Sequence, residues 1–177
     1  VRRMLPWCVA LGVVLRATHA HGDATVDSLM SALDMRQKIG QMILVYHSPL
    51  DFLRQHGVGG TLVMQNMLKN ARRLRTQLDS IQSQLPIPLL VTIDQEGGKV
   101  NRLSPLKQWR HVPSAKRFAA WPPDSIQRYW AGIADELHRL NINVNLAPVL
   151  DPATNHHGRK THMEVRERSF GNDRTEI

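Results

Sequence analysis

Leu89-Leu90-Val91-Thr92-Ile93 runs without polar alternation into Asp94-Gln95-Glu96-Gly97-Gly98-Lys99-Val100-Asn101-Arg102. Two carboxylates, a glycine pair and two cations thus follow an apolar stretch at once. Such a stretch reads as a strand buried on both faces. Parallel strands of α/β proteins carry their chemistry at their C-terminal ends, and Asp94 and Glu96 stand at such an end. Gly97-Gly98 permits a tight turn and a close approach of backbone to a ligand. Arg102 follows within reach of the same mouth. The competing reading of Asp94 is a cap for a following helix.

Other elements must place these groups. Val26, Leu29, Met30 and Leu33 recur at helical spacing, and Asp34-Met35-Arg36-Gln37 offers a capping box for a second helix. Met42-Ile43-Leu44-Val45 is a candidate buried strand, and Leu50, Phe52 and Leu53 suggest a short helix ending before Gly57. Thr61-Leu62-Val63-Met64 is the second strand. Leu74, Leu78, Ile81 and Leu85 mark one face of a helix, with Arg72, Arg73, Arg75 and Gln77 on its solvated side. Pro86 and Pro88 stop that helix before the third strand. Asp124-Ser125-Ile126-Gln127 is a further capping box, heading a helix whose buried stripe is Ile126, Trp130, Ile133, Leu137 and Leu140. Ile142, Val144 and Leu146 then alternate with Asn143 and Asn145, which places the asparagines in a hydrogen-bonded polar layer. Four strand–helix alternations predict an α/β fold with a parallel sheet. Trp121 and Trp130 read as packing residues, and Trp109 suits either packing or a platform for a ring.

The first twenty residues read differently. Arg2 and Arg3 precede an apolar run from Met4 to Leu15, and Thr18-His19-Ala20 closes it with small residues. That is the layout of a secretory signal peptide cleaved after Ala20, and the run is too short to span a bilayer comfortably. The expected product is an exported, periplasmic or secreted protein of residues 21–177, with no membrane association after cleavage. Val1 is an unusual start, which an alternative start codon or a fragment would explain. Cleavage removes Arg2, Arg3 and Arg16 and no acid, leaving 20 basic against 15 acidic residues, or +5 rather than +8. It also removes Cys8, the only cysteine, so the core relies on packing. A moderate positive charge suits an anionic cell-wall polymer. No basic run is interleaved with aromatics, so no nucleic-acid partner is expected.

Ile93-Asp94-Gln95-Glu96-Gly97-Gly98-Lys99-Val100 resembles the signature of family 3 glycoside hydrolases, in the β-N-acetylhexosaminidase branch. Gln37-Lys38-Ile39-Gly40-Gln41-Met42, Gly57-Val58-Gly59-Gly60-Thr61-Leu62-Val63, Leu140 to Asp151 and Glu167-Arg168-Ser169-Phe170-Gly171 are similar to further family segments, in family order. The resemblance implies the first half of a (β/α)8 TIM-like barrel over residues 21–177. It implies hydrolysis of terminal N-acetylglucosamine from glycans such as cell-wall fragments, without a cofactor. It also implies that Asp94, Arg102 and Arg168 bind the non-reducing sugar. The chemistry agrees: one carboxylate can accept from two adjacent hydroxyls, and a guanidinium offers a rigid fork of donors. For Arg168 the competing reading is an ion pair with Glu167 or Glu164.

Departures from the family pattern are Lys99 for the usual Arg, Arg166 for the usual Gly, and the segment His156-His157-Gly158-Arg159-Lys160-Thr161-His162. Arg166 puts the aim of Arg168 in question. Adjacent His156 and His157 rarely chelate one ion, so no metal site is expected. The family's catalytic groups are implied to be an Asp nucleophile and a His–Asp acid/base pair beside a Lys-His-Phe-Pro-Gly-His-Gly-like motif. Neither motif occurs in these 177 residues, and no catalytic residue is assigned. The expectations are an incomplete hydrolase, or an inactive remnant or sugar-binding half-barrel that needs a separately encoded C-terminal half.

Overall fold

The computed structural model describes residues 24–172; the expected signal peptide lies outside the described residues. Two units divide after Asp34. The first contains helix α1 (Ala24–Ala32). The second contains all other elements named here.

In the second unit, α2 (Met35–Gln41) begins directly after Asp34. Strands β1 (Leu44–Tyr46), β2 (Gly60–Val63), β3 (Leu90–Ile93) and β4 (Val144–Asn145) form one sheet in the order β1-β2-β3-β4. Every neighbouring pair is parallel. Helices α3 (Leu50–His56), α4 (Ala71–Gln82) and α6 (Pro123–Arg139) are the long connections, with the short helix α5 (Ala115–Phe118) before α6. Strands in chain order, each followed by a helix, are the arrangement of the first half of a (β/α)8 barrel. A last short helix, α7 (His162–Val165), lies in the segment after β4.

The core joins Val63, Val91 and Ile93 of the sheet to Leu53 of α3, to Leu74, Leu78 and Ile81 of α4, and to Ile133 and Leu137 of α6. The α4 pattern holds, with its arginines exposed and Arg75 paired to Asp79 at 3.6 Å. The α6 stripe holds at Ile133, Leu137 and Leu140, whereas Ile126 and Trp130 are only partly buried. Asp124 is not the cap of α6: the helix begins at Pro123, with Pro122 in the cap position. Proline suits the first turn because its fixed φ is already helical and its missing N–H has no helical partner there.

The first strand departs most from expectation. Met42 and Ile43 form a turn, with their N–H groups donating to Ile39 and Gly40 carbonyls at 3.0 Å. The strand starts at Leu44 and is not buried: Leu44 is 44% and Tyr46 67% exposed. Among the described residues it is an edge strand, with a neighbour on one side only. β4 is the other edge among the described residues, and Asn143 just before it and Asn145 within it are hydrogen-bonded, as expected, to the backbone of β3 and of the loop that leaves it. Asn143 Oδ1 accepts from Val91 N at 2.8 Å, and Asn145 Oδ1 accepts from Gln95 N at 2.9 Å.

Beyond β1, the His47 imidazole has its Nδ1 buried without a hydrogen-bond partner. Burial pushes its pKa below the ordinary histidine value. The unfolded chain therefore binds the proton more readily, and stability rises with pH between the lowered value and the ordinary one. Urea unfolding from pH 7 down to about pH 5 is expected to show a loss of stability that is reduced in His47→Asn. Equal pH dependence in both proteins would contradict this.

Candidate functional site

The loop that leaves β3 is built by side chains that grip backbone. Gln95 is fully buried. Its Oε1 accepts from Leu103 N at 3.0 Å, and its Nε2 donates to Asn101 Oδ1 at 3.0 Å. Asn101 in turn donates to the Trp109 and Arg110 carbonyls at 2.9 and 3.2 Å. Asn145 closes the other side, its Nδ2 donating to Gln95 O at 3.0 Å. Residues 95–103 are thus fastened to β4 and to the turn around Trp109.

Between these anchors the glycine pair makes a tight turn. Glu96 N and Gly97 N both donate to Val100 O, at 3.0 and 3.2 Å. Gly97 and Gly98 have φ of 89° and 54°, a region that side chains disfavour. A Cβ on Gly97 would lie 2.1 Å from Pro113 O, and one on Gly98 2.7 Å from Ser114 Cβ. The close approach anticipated here is therefore to the chain's own 112–114 segment. Lys99 is exposed on this turn.

Each of the three anticipated site residues has a place at this mouth. Asp94 follows the last residue of β3 and accepts from Arg102 Nη2 at 3.3 Å. Arg102 Nε is buried and has no hydrogen-bond partner. Arg168 arrives from the segment after α7. Its Nε and Nη2 donate to Glu96 Oε2 and Oε1, both at 2.7 Å. The Glu96 side chain is 9% and the Arg168 side chain 24% exposed. The hydrogen bond to Glu96, with the negative charges of Glu96, Asp151 and Asp94, raises the Arg168 pKa above its ordinary value. Asp94 thus contributes, as the smallest of these causes, to the charge that Arg168 feels.

The partner of Arg168 corrects the competing sequence reading. Glu164 takes Lys116, at 2.5 Å, and Glu167 accepts from Ser114 Oγ at 3.4 Å. Arg166 does not prevent Arg168 from reaching Glu96 either. It adopts an ordinary φ of −93° at the end of α7, and the left-handed position falls on Glu167, with φ 59°. Ser169, almost wholly buried, donates from Oγ to Asp151 O at 2.8 Å and holds the segment behind Arg168.

Sequence reasoning gave no role to Gln95, Asn101 or Glu136. Glu136 is a buried carboxylate on α6 that accepts from Gln108 Nε2, Trp109 Nε1 and Arg139 Nη2 at 2.7, 2.9 and 2.8 Å. It settles Trp109, whose indole also meets Tyr129 edge-on with ring centroids 5.9 Å apart; Trp109 is a packing residue. The available signal was a carboxylate set directly against the Ile133–Leu137 stripe. The His156 and His157 rings lie with centroids 3.9 Å apart, tilted by 45°. Among the described residues no group of three or more His, Cys, Asp or Glu side chains is placed to hold a metal ion.

The arrangement suits a ligand rich in hydroxyls. A hydroxyl both donates and accepts. Asp94 pairs with Arg102 through Oδ2, Arg102 Nε is an unused donor, and Arg168 keeps its Nη1 donors after binding Glu96 through Nε and Nη2.

Comparison with known proteins gives the same direction. Residues 34–177 match Glycosyl hydrolase family 3 N terminal domain. A β-hexosaminidase of Haemophilus ducreyi is 30% identical over 135 residues, which are 72% of this chain and 37% of that protein. The structure of Mycobacterium tuberculosis LpqI superposes with a TM-score of 0.68 at 26% identity, covering 84% of this chain and 43% of that one. A glycoside hydrolase family 3 β-N-acetylglucosaminidase from Paenibacillus gives 0.58 at 29% identity, over 70% of this chain and 26% of that one. The chain thus spans less than half the length of each of these relatives.

The Glu96–Arg168 pair is expected to couple measurably. In a double-mutant cycle of Glu96→Gln and Arg168→Gln read by urea unfolding, the interaction term should be about 1–3 kcal/mol. Additivity within about 0.5 kcal/mol would mean that the pair does not hold the segment in solution.

Proposed function

The chain belongs to glycosyl hydrolase family 3, and from that premise we propose that it carries part of the sugar site of a β-N-acetylhexosaminidase-type hydrolase. Its substrates would be glycans ending in N-acetylglucosamine, such as cell-wall fragments. The observation that carries this reading is the convergence of Asp94, Arg102 and Arg168 at one mouth, with a buried guanidinium N–H still unpaired. In this reading Asp94 accepts from a sugar hydroxyl, Arg102 donates to the same or an adjacent oxygen, and Arg168 donates to a further oxygen. Glu96 is a positioning residue that holds Arg168.

The nucleophile and the acid/base of a retaining glycosidase are assigned to no residue of this chain. Hydrolysis would then require groups beyond these 177 residues, in a C-terminal half either continuous with this one or separately encoded. A specific feature favours such a partner over a self-sufficient fold. Trp121, Ile126, Trp130, Ile133, Leu137 and Phe170 line an apolar groove of about 830 Å³ beside the free edge of β4. A second reading, an inactive remnant or sugar-binding half-barrel, shares the pocket and lacks the turnover. The Arg-flanked apolar run of residues 1–20 supports export as the setting. Among the described residues, no helix is long and apolar enough to cross a membrane.

The 177-residue chain is expected to bind N-acetylglucosamine with a dissociation constant in the millimolar range or weaker, about 4 kcal/mol, because only part of the site is present. Asp94→Ala should abolish that binding in a calorimetric titration. A chromogenic N-acetylglucosaminide should not be turned over. Micromolar binding that survives Asp94→Ala would overturn the assignment, and turnover lost in Asp94→Asn would place a catalytic pair within this chain.

A further inference from the structure

Ser114 stands at the N-cap position of α5, yet its hydroxyl makes no cap hydrogen bond. A serine there ordinarily accepts from the backbone N–H two or three residues on. In this helix the first turn is closed by backbone alone, with Arg117 N and Phe118 N donating to Ser114 O at 2.9 and 3.0 Å. The Ser114 Oγ donates instead to Glu167 Oε2 at 3.4 Å, 53 residues along the chain. Ser114 is buried, so packing restricts where that hydroxyl can point.

Glu167 is itself unusual. Its φ of 59° lies in the left-handed region, which disfavours a residue that carries a Cβ. Such a conformation persists only where the surroundings over-determine it. Three ties do so. Ser114 Oγ reaches the Glu167 carboxylate, Lys116 N donates to the Glu167 carbonyl at 3.4 Å, and Lys116 Nζ pairs with Glu164 three residues earlier. The same segment meets the other side of the mouth. Gly98 N donates to Val112 O at 2.9 Å. A Cβ on Gly97 would lie 2.1 Å from Pro113 O, and one on Gly98 3.0 Å from Ser114 Cα. Segment 112–116 therefore touches the turn that follows Glu96 and also the residue that precedes Arg168.

Resting on the sugar-site reading above, we propose that Ser114 and Glu167 are positioning residues that set the direction from which Arg168 enters the mouth. The pair with Glu96 fixes one edge of the guanidinium. Segment 112–116 fixes the backbone that carries it. Both are needed to aim the remaining Nη1 donors, because a long side chain can keep one ion pair from more than one backbone position. A serine hydroxyl spent on Glu167 rather than on its own helix, and a strained residue beside the ligand-binding arginine, are local departures of the kind that collect at functional sites.

The test uses Ser114→Ala, Glu167→Gln and Glu167→Gly in the full chain. Three quantities are read: the thermal midpoint, the water exchange of the Arg168 Nε–H by nitrogen-15 NMR without ligand, and the affinity for N-acetylglucosamine. Ser114→Ala has no cap bond to lose and should melt close to the parent. Glu167→Gly relieves the positive φ and should melt no lower than the parent. In both, the Arg168 Nε–H should exchange about two- to threefold faster and the sugar affinity should fall by a similar factor, the lower end of what one hydrogen bond supplies. Glu167→Gln keeps an acceptor of the same length and should match the parent in all three. A purely structural segment would instead lower the midpoint and leave Arg168 exchange and affinity unchanged. That pattern, variants indistinguishable from the parent, or a Glu167→Gln that fails as Glu167→Gly does, would overturn the proposal. If Arg168 exchange responds as expected but the parent binds no N-acetylglucosamine, the positioning of Arg168 stands and the sugar site fails.

Discussion

The bidentate pair between Arg168 and Glu96 joins positions 72 residues apart, and the rest of the mouth is arranged around it. Glu96 leaves β3 through a turn that only glycines can form, because the backbone there has positive φ and no room for a Cβ. Arg168 leaves α7 through a left-handed Glu167. The left-handed Glu167 is tolerable because the ion pair and the hydrogen bonds behind it fix Arg168. The two pairs at the mouth, Arg168–Glu96 and Arg102–Asp94, also balance each other in charge. A site with no net charge but many directed donors and acceptors is suited to an uncharged, hydroxyl-rich ligand rather than to a phosphate or a metal ion.

Support for the pair comes from outside the mouth. Gln95 fixes Leu103 and Asn101, Asn101 fixes the turn at Trp109, and Glu136 of α6 fixes Trp109. This chain of polar contacts links the helix layer to the loop bearing Arg102. Buried amides and a buried carboxylate are tolerated there because each has partners that replace water. The sheet contributes through Asn145, which grips the backbone of Gln95 from both sides.

Much of this was legible in the sequence because it is periodic or local. The α4 stripe of Leu74, Leu78 and Ile81 gave its helix and its buried face together, and the apolar run before Asp94 gave β3 and the end that carries chemistry. Partnerships between distant residues were not legible. Glu164 and Glu167 are closest to Arg168 in sequence, yet the chain path turns Arg168 toward Glu96 and leaves those two carboxylates to Lys116 and Ser114. Exposure of β1 was equally hidden: Leu44 and Tyr46 look like core residues, and only the strand order shows that they lie at a free edge. That edge, the edge of β4 and the groove beside α6 are the surfaces that further βα units would cover in a closed barrel.

If the proposed sugar site is right, the unpartnered Arg102 Nε–H donates to a sugar oxygen. Nitrogen-15 NMR of the arginine Nε–H groups, with N-acetylglucosamine titrated into the protein, tests it most directly. The Arg102 Nε–H resonance is expected to shift progressively with sugar, while that of Arg168, already bound to Glu96, moves far less, and Asp94→Ala is expected to remove the Arg102 response. An Arg102 resonance that stays fixed at sugar concentrations well into the millimolar range, or one that shifts equally in Asp94→Ala, would contradict a sugar role for Arg102.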